Sequence, residues 1–406
     1  MHRAKHIARR ILFRLISLFF VFPPLRWALL CGAPTVEENA YRLSALLVQS
    51  DLRRLWILDD DLGNARRVVE ACAPAAYADK RTRFVRRTSL GGVLAFLLSR
   101  AVFYSHGVYG SPPSGPHRVH VNVWHGSGPK RIENPQFTTR ISSDLLTTNS
   151  WAWGRPLAAD IGMDLDRLVV VGNSRQDSLS DRDPDEVLPT LGLDPARPVA
   201  LWLPTYRRTA GRGDVGWTDG VRLEDESLRA EVTDFSRRAV ALGVQLIVKP
   251  HPMDSDRFEL PGVRRLTTTD LLEAGVSLYQ FIGCVDALVS DYSGVWLEFL
   301  GLDRPLLLFC PDLQAYKGSR GFNAPAFSDV AKELIVERAA DAAHWLADIA
   351  EGLDTYASER ATVVARLGLA DGRNTSEAVL RSTAEFVVAN KSRWGRIKLV
   401  GLNCYL

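Results

Sequence analysis

From residue 33 onward, short apolar runs rich in β-branched and aromatic residues alternate with segments whose apolar positions recur at helical spacing. That alternation predicts a parallel sheet covered by helices. In the first half the candidate strands are Leu55–Leu58, Ala101–Ser105, Val119–Trp124, Leu145–Thr147 and Leu168–Val171, with helical patterns such as Ala65–Cys72 and Leu90–Leu98 between them. The stretch Asp181–Pro198 is dense in Asp and Pro and breaks the rhythm as a linker does. A second series follows at Val199–Leu203, Leu246–Lys249, Ala287–Ser290 and Leu306–Cys310. Helices are expected near 226–242 and 293–301, and after residue 328 the chain reads as helical, ending in a long helix near Thr375–Ala389. The pattern predicts an α/β protein of two doubly wound, Rossmann-like domains, 33–185 and 186–328, facing a central cleft and closed by helices and a basic tail at 329–406.

The length of 406 residues is enough for two cores, because single cores stop growing near roughly 250 to 300 residues. Five scattered cysteines without any Cys-x-x-Cys spacing encode neither a disulfide framework nor a zinc site, which fits a reducing compartment. Charge is uneven. Residues 1–14 hold five cations and residues 391–406 hold four, both without an acid, so that removing these nine leaves 41 basic against 47 acidic residues in the body. An acidic body argues against a nucleic-acid partner. The apolar run Ile11–Phe22 is too short to span a bilayer and ends at Pro23-Pro24. Segment 1–32 is therefore expected to form a basic amphipathic helix that associates with an anionic membrane surface, with Phe13, Ile16, Phe19 and Phe20 on its apolar side.

In doubly wound sheets ligands collect past the carboxyl ends of strands, so polar clusters at those places carry the candidate chemistry. In the first, Trp124-His125-Gly126-Ser127-Gly128-Pro129-Lys130-Arg131, His125 could act as a general base while the glycines admit an anion that Lys130 and Arg131 help neutralise. In the second, Thr205 offers a hydroxyl and Arg207 a guanidinium suited to bidentate phosphate contact. The third, Lys249-Pro250-His251-Pro252, restricts His251 between two prolines. In the fourth, a strand ends in Asp291-Tyr292-Ser293-Gly294 and a helix starts at once, so its first N–H groups and the Ser293 hydroxyl should converge on an anion. Glu298 is placed there to accept from a ribose hydroxyl. The plainer readings are a structural histidine, a proline turn and a capped helix. No Asp-x-Asp pair at a strand end and no His/Cys ligand spacing occurs, so no tightly bound cofactor or metal is expected, and Mg²⁺ on a pyrophosphate stays open.

Together these clusters resemble the CDP-glycerol glycerophosphotransferases of the teichoic-acid and capsule polymer pathways. The likeness runs from about residue 100 to 316, through Trp124, His125, Gly126 and Lys130, a Gly-x-x-Arg-x-Asp pattern at Gly172, Arg175 and Asp177, Pro204–Arg207, Lys249–Pro252, Asp291–Glu298 and Arg304–Tyr316. It implies a GT-B-like fold with an acceptor-side first domain and a CDP-donor second domain. It also implies that an acceptor hydroxyl attacks the distal phosphorus of a CDP-activated glycerol while CMP leaves. His125 and His251 become the catalytic pair. Lys130, Arg175, Asp177, Thr205, Arg207, Lys249, Asp291, Tyr292, Ser293, Gly294 and Glu298 fall on the donor and phosphate side. The resemblance implies peripheral attachment at the cytoplasmic face of the cell membrane, with a lipid-linked or polymer hydroxyl as acceptor. With His125 as base, activity is expected to fall in acid near the ordinary histidine pKa. Ser174 stands where family members carry Pro, and Gly294 where many carry a second Ser, which leaves room for CDP-ribitol or another CDP-polyol. A nucleotide-sugar glycosyltransferase and a non-catalytic membrane assembly subunit are rival readings of the same fold.

Overall fold

The computed structural model describes residues 18–20, 22–34, 36–131, 141–205, 226–250, 260–319 and 321–390. The first sheet contains β1 (Leu25–Cys31), β2 (Arg54–Asp59), β3 (Thr82–Arg86), β4 (Ser99–Tyr104), β5 (Val119–Asn122), β6 (Leu145–Thr148) and β7 (Leu168–Val170). Its order is β3-β2-β1-β4-β5-β6-β7, with every pair parallel. The second contains β8 (Val199–Trp202), β9 (Gln245–Val248), β10 (Arg264–Arg265), β11 (Ala287–Ser290), β12 (Leu306–Phe309) and β13 (Ile335–Val336), in the order β10-β9-β8-β11-β12-β13, again all parallel. Strands covered on both faces need apolar residues at successive positions. Val-Ala-Leu-Trp in β8 and Leu-Leu-Leu-Phe in β12 meet that demand and are buried throughout.

The amphipathic helix expected over 1–32 needs correction at its end. Leu25–Cys31 is β1, a central strand with β2 on one side and β4 on the other, and Ala28–Cys31 are completely buried. Phe20 is also buried, with its ring edge-on to Phe96 at 5.7 Å. Arg118 clamps this entry segment by donating to the carbonyls of Phe20 (3.1 Å), Phe22 (2.9 Å) and Leu97 (2.8 Å). Residues 1–17 and the basic tail 391–406 lie outside the described residues. No helix among the described residues is long and apolar enough to cross a membrane.

Helices join many of the successive parallel strands, β2 to β3 and β8 to β9 among them. Helix Leu62–Cys72 starts where the Asp61 carboxylate accepts from the Asn64 N–H, and it buries Ala65, Val68, Val69 and Cys72, the i, i+3, i+4, i+7 stripe of an amphipathic helix. The boundary expected at 185/186 falls inside helix Pro184–Thr190, and Leu179 and Val187 already belong to the second core. Helix Trp151–Ile161 serves both halves. Trp153 packs edge-on against Trp296 of the second core at 5.7 Å, whereas Leu157, Ala158 and Ile161 pack in the first. The last helix, Thr375–Asn390, crosses back and places Val379, Leu380, Ala384 and Val387 in the core beneath β1, β2 and β5.

Candidate active site

The carboxyl ends of β4 and β5 lie side by side, with Tyr104 opposite Asn122 in the register. The residues just past those ends, His106 and His125, therefore become neighbours. Their rings stack in parallel, 4.1 Å between centroids and 6° between planes. Trp124 lies against His125 at 4.4 Å and 29°. Trp124 reaches this place with φ of 50°, a left-handed conformation that a bulky residue adopts only when its surroundings impose it. Asn122 Oδ1 accepts from the Trp124 N–H at 2.8 Å, and Asn39 Nδ2 donates to the carbonyls of Val123 (2.6 Å) and Trp124 (3.0 Å).

His125 Nδ1 is buried without a hydrogen-bond partner among the described residues. Burial, then the neighbouring His106 ring, the Arg175 guanidinium and Lys130 drive the His125 pKa well below the ordinary value, against a smaller opposing pull from the Ser105 backbone. The same forces, burial first and then Arg175 and Arg87, push His106 down to about 4. Both shifts favour the neutral ring, the form in which an imidazole nitrogen can accept a proton.

Beneath the His125 loop lies a buried ion cluster. Arg175 grips Glu298 with two bonds, Nε to Oε2 at 2.9 Å and Nη2 to Oε1 at 2.7 Å, pairs with Glu37, and donates from Nη2 to the His125 carbonyl at 3.0 Å. Asn173 Nδ2 donates to the other side of Glu298 Oε1 at 2.6 Å, and the Arg175 guanidinium sits 4.5 Å over the Tyr279 ring. Glu298 is fully buried. The ribose contact expected of Glu298 is thereby corrected: both its oxygens serve the ion pair, and Arg175 supports the His125 loop from below rather than presenting a free cation. Asp177 has a different place as well. It accepts from Thr375 N–H (2.7 Å), Thr375 Oγ1 (2.9 Å) and Ser376 N–H (2.9 Å), capping the helix that crosses back. Gly172 is required next to it, because a Cβ there, at φ of 90°, would lie 2.5 Å from Thr375 Cγ2.

In the second sheet, β8 lies between β9 and β11, and the ends of these three strands bring Thr205, Lys249 and Asp291 together. Asp291 accepts from the Thr205 N–H at 3.0 and 2.9 Å and from its hydroxyl, tying the two turns. Tyr292 is core: fully buried, stacked on Tyr316 at 3.9 Å, its hydroxyl donating to Asp312 at 2.7 Å. Lys249 is 8% exposed, its backbone N–H donates to the Trp202 carbonyl at 3.0 Å, its ammonium has no hydrogen bond or ion pair among the described residues, and burial pushes its pKa down to about 8. Arg207 and His251 lie outside the described residues.

Ser293 and Gly294 lead into a helix, Val295–Phe299, of only five residues, with the Ser293 hydroxyl accepting from the Val295 N–H at 3.4 Å. So short a helix supplies little dipole to the anion site expected there. Its turn instead meets the His125 loop: a Cβ on Gly294 would lie 2.6 Å from the Ser127 carbonyl oxygen, and Gly128 and Gly294 pass backbone to backbone. A few residues on, Lys130 bridges to Phe322, and Asn323 donates to the carbonyls of Pro129 (2.8 Å) and Lys130 (3.1 Å). The two halves thus join around one loop, 125–130.

Residues 29–384 match the family model of CDP-Glycerol:Poly(glycerophosphate) glycerophosphotransferase. The chain belongs to this family. Among relatives, the teichoic acid poly(glycerol phosphate) polymerase of Bacillus spizizenii is 22% identical over 231 residues, 52% of this chain and 56% of that protein. The teichoic acid glycerol-phosphate transferase of Staphylococcus aureus is 25% identical over 275 residues, 60% of this chain and 66% of that one. The match to the B. spizizenii polymerase thus covers little more than half of that relative's length. The wall teichoic acid polymerase TagF shares the fold, with a TM-score of 0.65 at 16% identity over 94% of this chain and 97% of that one, and a TagF variant soaked with CDPG has a TM-score of 0.63.

Sequence reasoning passed over Glu37, Asn39, Asn173 and His106. His106 had a signal, since Ser105-His106-Gly107 repeats after β4 the His-Gly step that follows β5. Glu37, Asn39 and Asn173 had none, because a buried partner is defined by what reaches it from distant parts of the chain.

Proposed function

We propose that this protein transfers a glycerol phosphate, or a closely related polyol phosphate, from its CDP-activated form to a hydroxyl acceptor and releases CMP. The acceptor oxygen attacks the distal phosphorus, a new P–O bond forms, and the bridging P–O bond breaks with its electron pair leaving on CMP. The acceptor proton passes to Nε2 of His125, and Lys249 offsets charge on the pyrophosphate. The observation that carries this reading is His125, stacked on His106 and Trp124 at the loop where Ser127 and Gly128 meet Gly294 in a chain of the glycerophosphotransferase family. The CDPG-soaked TagF crystal supports the donor class by analogy. The test is to incubate the protein with CDP-glycerol, CDP-ribitol and UDP- and GDP-sugars in the presence of a polyol-phosphate acceptor. Release of CMP is expected, and release of UDP or GDP instead overturns the reading in favour of sugar transfer.

The acceptor in this proposal is lipid-linked or polymeric, and the enzyme works as a peripheral protein on the cytoplasmic face of the membrane. Exposed apolar side chains support it: Leu18, Phe19 and Phe22 on the entry segment, which Phe20 ties to helix Leu90–Leu98, and Leu90 and Leu94 on that helix. The cations of residues 1–14 and 391–406 add about 1 kcal/mol each near an anionic surface. A chain starting at residue 18 keeps β1 intact and should cosediment less with anionic liposomes, whereas unchanged cosedimentation rejects the anchor.

A further inference from the structure

We propose that His106 is a positioning residue for His125: its ring, stacked face to face on that of His125, fixes the plane of the base and leaves Nε2 as the one nitrogen open to an acceptor hydroxyl. The inference rests on the transferase reading for its functional meaning and on the geometry for its substance. The rings lie 4.1 Å apart and within 6° of parallel, closer to ideal stacking than the 29° contact with Trp124. His106 is itself anchored, with Nδ1 3.0 Å from the Ser105 hydroxyl. His125 Nδ1 is buried without a hydrogen-bond partner among the described residues, and the Ser105 backbone is the one hydrogen-bonding group felt by the ring, so the stacked rings do most to set its plane.

The stack also governs protonation. Two imidazolium rings face to face would repel strongly, and the groups around the pair are cationic: Arg175 and Lys130 near His125, Arg175 and Arg87 near His106. The nearest carboxylates, Glu298 and Glu37, are bound to Arg175, and Asp60 is bound to Arg87. Against these cations only the Ser105 backbone favours a proton on His125, and it is the weaker influence. Removing the His106 ring admits water to Nδ1 and frees the base to rotate.

The test uses full-length protein with labelled histidine, the His125 resonance being assigned by its loss in His125→Asn. In the wild type the His125 midpoint should lie well below 6.5. In His106→Ala it should rise by about one unit or more, kcat should fall about tenfold or more with the donor KM unchanged, and the acid limb of the rate profile should move up. His106→Phe, which keeps a flat ring, should hold the midpoint low and recover most of the rate. Should the alanine variant not fold, His106→Leu fills the space without a flat face and serves the same purpose. An unmoved midpoint with CMP release intact overturns this proposal and leaves the transferase reading standing. A moved midpoint in a protein that releases no CMP upholds the stack and overturns the reading.

Discussion

At the scale of single residues, the site joins a histidine held towards its neutral form to a lysine whose ammonium has no partner among the described residues. His125→Ala should lose about 10²- to 10⁴-fold in kcat with donor binding nearly unchanged, measured by turnover and calorimetry. Because the His125 pKa is depressed, the acid limb of the rate profile should begin well below 6.5, lower than an ordinary histidine would place it. Stability carries the opposite sign. The unfolded chain takes up protons on these histidines below about 6.5 and the folded one does not, so the melting temperature should drop as pH falls from 6.5 towards 4. Lys249 should separate stability from function in another way. Lys249→Met removes a buried charge that no described residue pairs and should keep or raise the melting temperature, yet weaken binding of the CDP-donor about 10- to 100-fold, the size of one charge-assisted phosphate contact.

Among the elements, the crossing-back helix Thr375–Asn390 depends on Asp177 at its start. Asp177→Ala leaves three donors without their acceptor and should cost about 1 to 3 kcal/mol in chemical denaturation, although the residue lies outside the helix it caps. This dependence shows where sequence reading succeeds. Strands such as β5, β8, β9 and β11 were legible because each is a short apolar run bounded by turn residues, and their ends gave His125, Thr205, Lys249 and Asp291 as candidates. Strand β1 was hidden because Leu25–Cys31 continues an apolar and basic start with no polar break except Pro23-Pro24. Strand β3, Thr-Arg-Phe-Val-Arg, carries two cations in five residues and shows no apolar run. Glu298 and Asp177 looked like ligand residues because a carboxylate past a strand suits either a ligand or a buried partner, and only tertiary contact decides between them.

At the scale of the whole molecule, the two halves meet backbone to backbone at Gly128 and Gly294. With glycine at both positions the backbones approach closely, since a Cβ on Gly294 would sit 2.6 Å from the Ser127 carbonyl oxygen. The return of the last helix to the first sheet has a consequence for how the protein is born. On the ribosome the first seven strands emerge early, but the apolar ridge that closes their core, Val379, Leu380, Ala384 and Val387, is made only after the entire second half. The early half must therefore wait, with that groove uncovered, until translation has all but ended, and a chain cut short anywhere before residue 375 loses part of the foundation of its first half as well as its end.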